Sequence, residues 1–210
     1  MTRILLVDDH EVVRRGTRQV LADGFNEAVF GEAATAVEAQ ALLGAERWDL
    51  LVLDINLPGR SGLEVLEDVR RQWPKLPTLV LSAYPEEEFA VRCLRLGAAG
   101  YVTKSSAADE LVSASRKALE GGKYVTAALA ERLAAVLGGG FGGEAHEALS
   151  GRELQVVRLV ASGRSVKEIA VELHLSEKTI ATYRARIADK LGVSTNVELT
   201  RYALQHKLVE

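Results

Sequence analysis

Residues 48–59, Trp48-Asp49-Leu50-Leu51-Val52-Leu53-Asp54-Ile55-Asn56-Leu57-Pro58-Gly59 (WDLLVLDINLPG), put a carboxylate at the end of an apolar run. Leu50 to Leu53 have the unbroken apolar character of a strand buried on both faces. Pro58-Gly59 marks a turn. Strands apolar on both faces belong to parallel sheets covered by helices on either side, so this stretch sets the expected fold class. Asp54 stands where the buried strand ends, and a charge there needs a reason.

The pattern repeats on both sides of this stretch. Upstream, RILLVDD (3–9) is a short apolar run. EVVRRGTRQVLAD (11–23) has helical spacing, with Val13, Thr17, Val20 and Leu21 on one side. EAVFGEA (27–33) is a weaker strand and AVEAQALLGAE (36–46) a helix. Downstream, SGLEVLEDVRRQW (61–73) is helical, PTLVLSAY (77–84) a strand, and EEEFAVRCLRLG (86–97) helical. AGYVTK (99–104) is a strand and SSAADELVSASRKALEGG (105–122) a helix. Five strands alternating with five helices predict an α/β fold, a doubly wound five-stranded parallel sheet. TAALAERLAAVLG (126–138) predicts one further helix.

The alternation then stops. GGGFGGEAHEA (138–148) carries five glycines and reads as a flexible linker. Beyond it lie four short helical segments and no strand run: SGRELQVVRLVASG, SVKEIAVELH, SEKTIATYRARIADKLG and TNVELTRYALQHKL. Each begins at Ser or Thr, good N-cap residues. The expected division is residues 1–122 as the α/β domain, 123–148 as a linker with an extra helix, and 149–210 as a small all-α domain.

Composition supports two jobs. The chain has 210 residues, 48% of them hydrophobic, enough for packed cores. The net charge of −3 is unevenly spread. Residues 1–143 hold 16 Lys+Arg against 20 Asp+Glu, and residues 150–210 hold 10 against 7. No apolar run approaches the roughly 20 residues that span a bilayer. MTRILLVDDH lacks the pattern of a secretory leader. The single cysteine, Cys93, leaves no intramolecular disulfide and suits a reducing cytoplasm, the expected location.

In open parallel sheets, functional groups gather at the carboxyl ends of the strands. Here those ends carry Asp8-Asp9, Asp54, Ser82 and Lys104. Taken singly, each has an ordinary explanation, since Asp before Leu-Pro-Gly is a turn former. Together they form a chemical set. Three adjacent carboxylates repel one another, and a hard cation such as Mg2+, which prefers oxygen ligands, relieves that repulsion. Lys104 and Ser82 add an ammonium and a hydroxyl, which suit the oxygens of a phosphoryl group in transfer. Asp54 is the expected nucleophile, forming an acyl phosphate.

LLVDDH, DLLVLDINLPGRSGLEVL, LVLSAY and GAAGYVTK resemble the receiver domain of two-component response regulators, a flavodoxin-like fold, from residue 3 to about 120. The resemblance implies that Asp54 accepts a phosphoryl group from a sensor histidine kinase. It implies Mg2+ ligands at Asp8, Asp9 and Asp54, with the Asn56 main-chain carbonyl. It implies that Lys104 contacts the phosphoryl group, and that Ser82 moves toward it, followed by the switch residue Tyr101.

In the basic tail, SVKEIAVELHLSEKTIATYRARIADKLGV joins two helical segments through His174-Leu175-Ser176. Ile180, Ile187 and Leu191 recur at helical spacing. Lys178, Thr182, Ala185, Arg186, Asp189 and Lys190 fall on other faces. A packed side and a mostly basic side suit a helix in a DNA major groove, and equally a solvated charged face. Residues 149 to about 204 are similar end to end to the LuxR-type helix-turn-helix, the output domain of the NarL/FixJ class. That implies a recognition helix from Ser176 to Leu191 and a last helix, from about Asn196, that mediates dimerisation. The implied DNA contacts are Lys178, Thr179, Thr182, Tyr183, Ala185, Arg186 and Lys190. Tyr183 stands where the family usually has His. Ala181 and Ala185 stand where some members have lysines, so the DNA sequence read is open.

The expected function is that of a response regulator and transcription factor, not an enzyme. Its partners would be a sensor kinase, double-stranded promoter DNA and a second copy when active, with RNA polymerase a further candidate and no membrane. Two alternatives remain. One is a phosphorylation-independent DNA-binding protein with a receiver-like dimerisation domain. The other is a phosphatase of the haloacid dehalogenase type, which wants a second Asp two residues after its nucleophile, where this chain has Asn56. The four histidines, His10, His146, His174 and His206, read as structural or solvated.

Overall fold

The computed structural model describes residues 1–106, 108–137, 145–206 and 208–209. The chain forms two compact units, divided between residues 138 and 139. Most of the glycine-rich linker, residues 138–144, lies outside the described residues.

The first unit alternates strand and helix: β1 (Arg3–Val7), α1 (Glu11–Gly24), β2 (Val29–Ala33), α2 (Ala36–Ala45), β3 (Leu50–Leu53), α3 (Gly62–Gln72), β4 (Thr78–Ser82), α4 (Glu86–Arg95), β5 (Gly100–Thr103) and α5 (Ala108–Leu119). All strand pairs are parallel, in the order β2-β1-β3-β4-β5. This is the expected doubly wound sheet, with its topological switch beside β1 and β3. The stretch that set the expectation is the central strand. Leu50, Leu51, Val52 and Leu53 are all buried, each contributing roughly 1.5–3 kcal/mol by leaving water. β2 sits at the sheet edge, and only Ala33 of it is fully buried, which explains its weaker pattern.

The extra helix, α6 (Ala127–Leu137), belongs to this first unit and packs on α4. The segment leading into it adds a bridge between Gly100 and Tyr124. The Thr126 hydroxyl accepts from Leu129 N at 3.1 Å and donates to the Glu86 carboxylate at 2.8 Å. The further helix expected between the two domains is therefore present and packed on the first unit.

The second unit holds a short 3-10 turn (Ala145–Ala148) and α7 (Gly151–Ala161), α8 (Val166–Glu172), α9 (Glu177–Leu191) and α10 (Asn196–Gln205). Ser150, Ser165, Ser176 and Thr195 cap them as their side chains predict, and three of these caps are reciprocal boxes with Glu153, Glu168 and Glu198. The α8–α9 turn passes through His174 at φ 53, a left-handed conformation that histidine adopts more readily than most residues. Ile169, Leu173, Ile180, Ile187, Leu191 and Leu199 are among its buried apolar residues. Among the described residues, no helix is long and apolar enough to cross a membrane.

Candidate functional site

The sheet register builds the first site. Val7 and Leu53 are paired across β1 and β3, and Asp54 N donates to Val7 O at 2.8 Å. Asp8 and Asp54 therefore leave adjacent strands side by side. Lys104 follows β5, and its main-chain N–H donates to Ser82 O at 2.7 Å. The Lys104 ammonium lies 2.7 Å from Asp54 Oδ2 and 2.6 Å from Asp8 Oδ2. One cation thus links two carboxylates that would otherwise repel.

Asp54 is 2% exposed. Burial pushes its carboxyl up to about 6, against the pull of Lys104. Burial also works against the charge on Lys104, but the Asp54 and Asp8 carboxylates hold its pKa above the usual lysine range. The Asn56 main-chain N–H donates to Asp54 Oδ1 at 3.2 Å. On the other side of the turn, α3 begins at Gly62, capped by the Ser61–Glu64 box. A side chain at Gly62 would place its Cβ 2.0 Å from Asp54 O. Glycine is required there because the helix start lies against the main chain of the acidic residue.

Ser82 is fully buried, and its Oγ accepts from Tyr84 N at 3.2 Å. Tyr101 is buried too, donating its hydroxyl to Tyr84 O at 2.8 Å. Burial raises the pKa of that phenol, so it stays a neutral donor. The two residues expected to form a switch thus share Tyr84 as an anchor.

Asp8, Asp9, Asp54 and His10 offer ligand atoms that all lie within 4.8 Å of one another. The carboxylate oxygens suit a hard divalent cation. His10, which the sequence presents as structural or solvated, is exposed, and it also contacts the acids. Its Nδ1 lies 2.8 Å from Asp9 Oδ1 and 3.4 Å from Asp8 Oδ1. Its position directly after Asp8-Asp9 is the signal that could have found it. His146 and His206 have ring centroids 5.5 Å apart, and each also contacts the Tyr202 ring.

The raised acid has a stability consequence of definite sign. The folded pKa of Asp54, about 6, exceeds its ordinary value of 3.8. Its contribution is therefore fully present below about pH 4 and lost as pH rises to about 6. Asp54→Asn stays neutral throughout. In protein free of divalent cations, its unfolding midpoint in urea should gain on wild type between about pH 4 and pH 6. Trp48 and Trp73, the two tryptophans of the chain, both report on the first unit. A constant difference across that window would contradict burial as the cause.

The second candidate site is the outer face of α9. Lys178, Thr182, Ala185 and Arg186 are exposed at spacings of four, seven and eight, while Ile180, Ile187 and Leu191 are buried opposite. The Thr182 hydroxyl donates to Lys178 O at 3.0 Å, on an exposed residue. Thr179 and Tyr183 are half-buried at the margin, with Thr179 bonded to the cap residue Ser176. Lys190 differs from the rest. Its ammonium lies 2.6 Å from Glu153 Oε2 and donates to Ala148 O at 3.2 Å. Burial acts to raise the Glu153 pKa, but Lys190 and the Ser150 cap hold it below the usual range. Lys190 therefore ties α9 to the start of α7.

Both units have counterparts among known proteins. The response regulator receiver domain family matches residues 4–116, and the luxR family of bacterial regulatory proteins matches residues 147–203. Response regulator GacA of Pseudomonas aeruginosa is 34% identical over 214 residues, covering 100% of this chain and 99% of that protein. Response regulator UvrY of Escherichia coli K12 is 34% identical over 209 residues, covering 99% and 96%. Among solved structures, RcsB of Salmonella enterica serovar Typhimurium, bound to promoter rprA in the presence of a phosphomimetic, is 28% identical with a TM-score of 0.63. That alignment covers 96% of this chain and 97% of that one.

Proposed function

Because the chain belongs to the response regulators that join a receiver domain to a LuxR-type DNA-binding domain, we propose that phosphorylation of Asp54 by a sensor histidine kinase controls its pairing and its hold on promoter DNA. The observation that carries this reading is the buried Asp54 carboxylate, bridged to Asp8 by Lys104 at the carboxyl edge of the sheet. An Asp54 oxygen bonds to phosphorus as the donor's P–N bond breaks, and the donor imidazole leaves and takes a proton. Asp8, Asp9, Asp54 and the Asn56 carbonyl would hold Mg2+, which supplies positive charge to the phosphoryl oxygens when bound. Lys104 already bridges two carboxylates, so it is placed to follow negative charge as it appears. Ser82 then turns to the phosphoryl group, and Tyr101 fills the space it leaves. That change biases one of two arrangements of the receiver surface, the general logic of a charge-driven switch.

The DNA-binding unit acts through α9. Lys178 and Arg186 face phosphates, while Thr182 and Ala185 face base edges, with the Thr182 methyl and Ala185 suited to thymine methyls. Thr179 and Tyr183 border that face, and Lys190 sets the pose of the helix through Glu153. Two copies on one site raise each other's effective concentration. RNA polymerase is the partner expected next to a bound activator.

The test is a salt titration of DNA binding by the full chain, with and without acetyl phosphate and Mg2+, alongside sedimentation. Phosphorylation is expected to raise both affinity and the dimer fraction. Arg186→Ala should reduce the slope of log affinity against log salt by about one unit on any sequence. Thr182→Ala should change which sequence is preferred. If phosphorylation alters neither affinity nor assembly, the scaffold alternative holds instead. If both variants bind like wild type at every salt concentration, α9 is not the helix in the groove.

A further inference from the structure

His10 is the residue at the acidic pocket that phosphoryl transfer leaves without a task. It is the N-cap of α1, and its position is fixed from both sides. Its main-chain N–H donates to Asp8 Oδ1 at 2.8 Å, and its carbonyl accepts from Arg14 N at 2.9 Å. The Arg14 guanidinium in turn donates to Asp8 O at 2.7 Å and pairs with Glu32 at 3.0 Å. The backbone that carries the ring is therefore braced, and the ring itself, 55% exposed, lies beside the carboxylates.

We propose that His10 is a further protein ligand of this pocket, giving it added affinity for borderline divalent cations of the Fe2+, Co2+ and Zn2+ class. The inference rests on the reading that Asp8, Asp9 and Asp54 take a divalent cation. Three carboxylates alone make a hard oxygen site that suits Mg2+. An imidazole nitrogen changes that preference, because nitrogen donors favour later first-row metals and Mg2+ gains little from them. The spacing fits a single ion. Donors on opposite sides of a first-row cation stand about 4.2 Å apart at metal–ligand distances of about 2.1 Å. The four donor atoms here span 4.8 Å before any ion draws them in. His10 Nδ1 lies 2.8 Å from Asp9 Oδ1 and 3.4 Å from Asp8 Oδ1.

A competing role is orientation, with the ring only donating a hydrogen bond to Asp9. His10→Gln separates the two, since the amide retains a donor for Asp9 and loses the imidazole. The probes are Co2+ and Mg2+, titrated separately into the full chain by calorimetry at about pH 8, where free imidazole is neutral. The expected result is a fall of about tenfold in the ratio of Co2+ to Mg2+ affinity in His10→Gln. In the Co2+ form, proton NMR should show strongly shifted ring resonances from one of the four histidines, absent in the variant. An unchanged affinity ratio, or no strongly shifted histidine in the wild type, overturns the assignment while leaving the carboxylate site standing. Failure of wild type to bind either cation overturns the carboxylate reading and this inference with it.

Discussion

Asp54→Asn is expected to take up no phosphoryl group under conditions where the wild type gains one, read by intact mass after acetyl phosphate and Mg2+. An amide oxygen is a poor nucleophile, and the neutral side chain offers less to a cation. The variant should fold, because the introduced amide oxygen would still accept from Asn56 N and the charge lost is one that burial disfavours. Loss of uptake therefore reads on chemistry and not on unfolding, which tryptophan fluorescence verifies in the same sample. A variant that gains one phosphoryl group at wild-type yield removes Asp54 from the acceptor role.

Gly62→Ala is expected to be the most damaging single methyl in the first unit. Its Cβ would stand 2.0 Å from Asp54 O and 2.8 Å from both Asp54 C and Ile55 Cα. These are backbone atoms at the end of the central strand, which no rotamer change moves aside. Overpacking costs typically 1–3 kcal/mol, and a clash with main chain belongs at the upper end, about 3 kcal/mol. A lower urea midpoint of the tryptophan-reported transition measures it. Gly44→Ala is the control. Gly44 lies in α2 with nothing within 4 Å of its added Cβ, so alanine there should be neutral or stabilise by up to about 1 kcal/mol. Folded Gly62→Ala protein that survives at low temperature should also accept phosphoryl more slowly, because relief of the clash displaces the Asp54 main chain. Equal midpoints for the two variants would show that the α3 start yields without cost.

Much of this molecule is legible locally. The apolar run Leu50–Leu53 announces a strand buried on both faces because a central parallel strand has no solvent side. Ser61, Ser150, Ser165, Ser176 and Thr195 announce helix starts because a cap satisfies main-chain donors within three residues of itself. The pocket residues are legible one step less directly. Lys104 and Asp54 are 50 residues apart, yet a parallel sheet brings all its strand ends to one edge, so topology alone predicts their meeting.

What escapes the sequence depends on distances that no period encodes. Lys190 reads as one more cation on a basic helix, and only the packing of α9 on α7 directs it to Glu153, 37 residues away. Residues 127–137 read as an extra helix within the linker region, and their contacts with α4 make them part of the first unit. His10 reads as structural or solvated, and it is exposed, but only the structure shows its Nδ1 2.8 Å from Asp9 Oδ1. The sequence by itself determined the fold class, the helix starts and the acidic edge, because burial pattern and capping act over a few residues. Tertiary structure alone decided which charges pair, which glycine is irreplaceable and which nitrogen faces the pocket, because those depend on ångström-scale separations between segments remote in the chain.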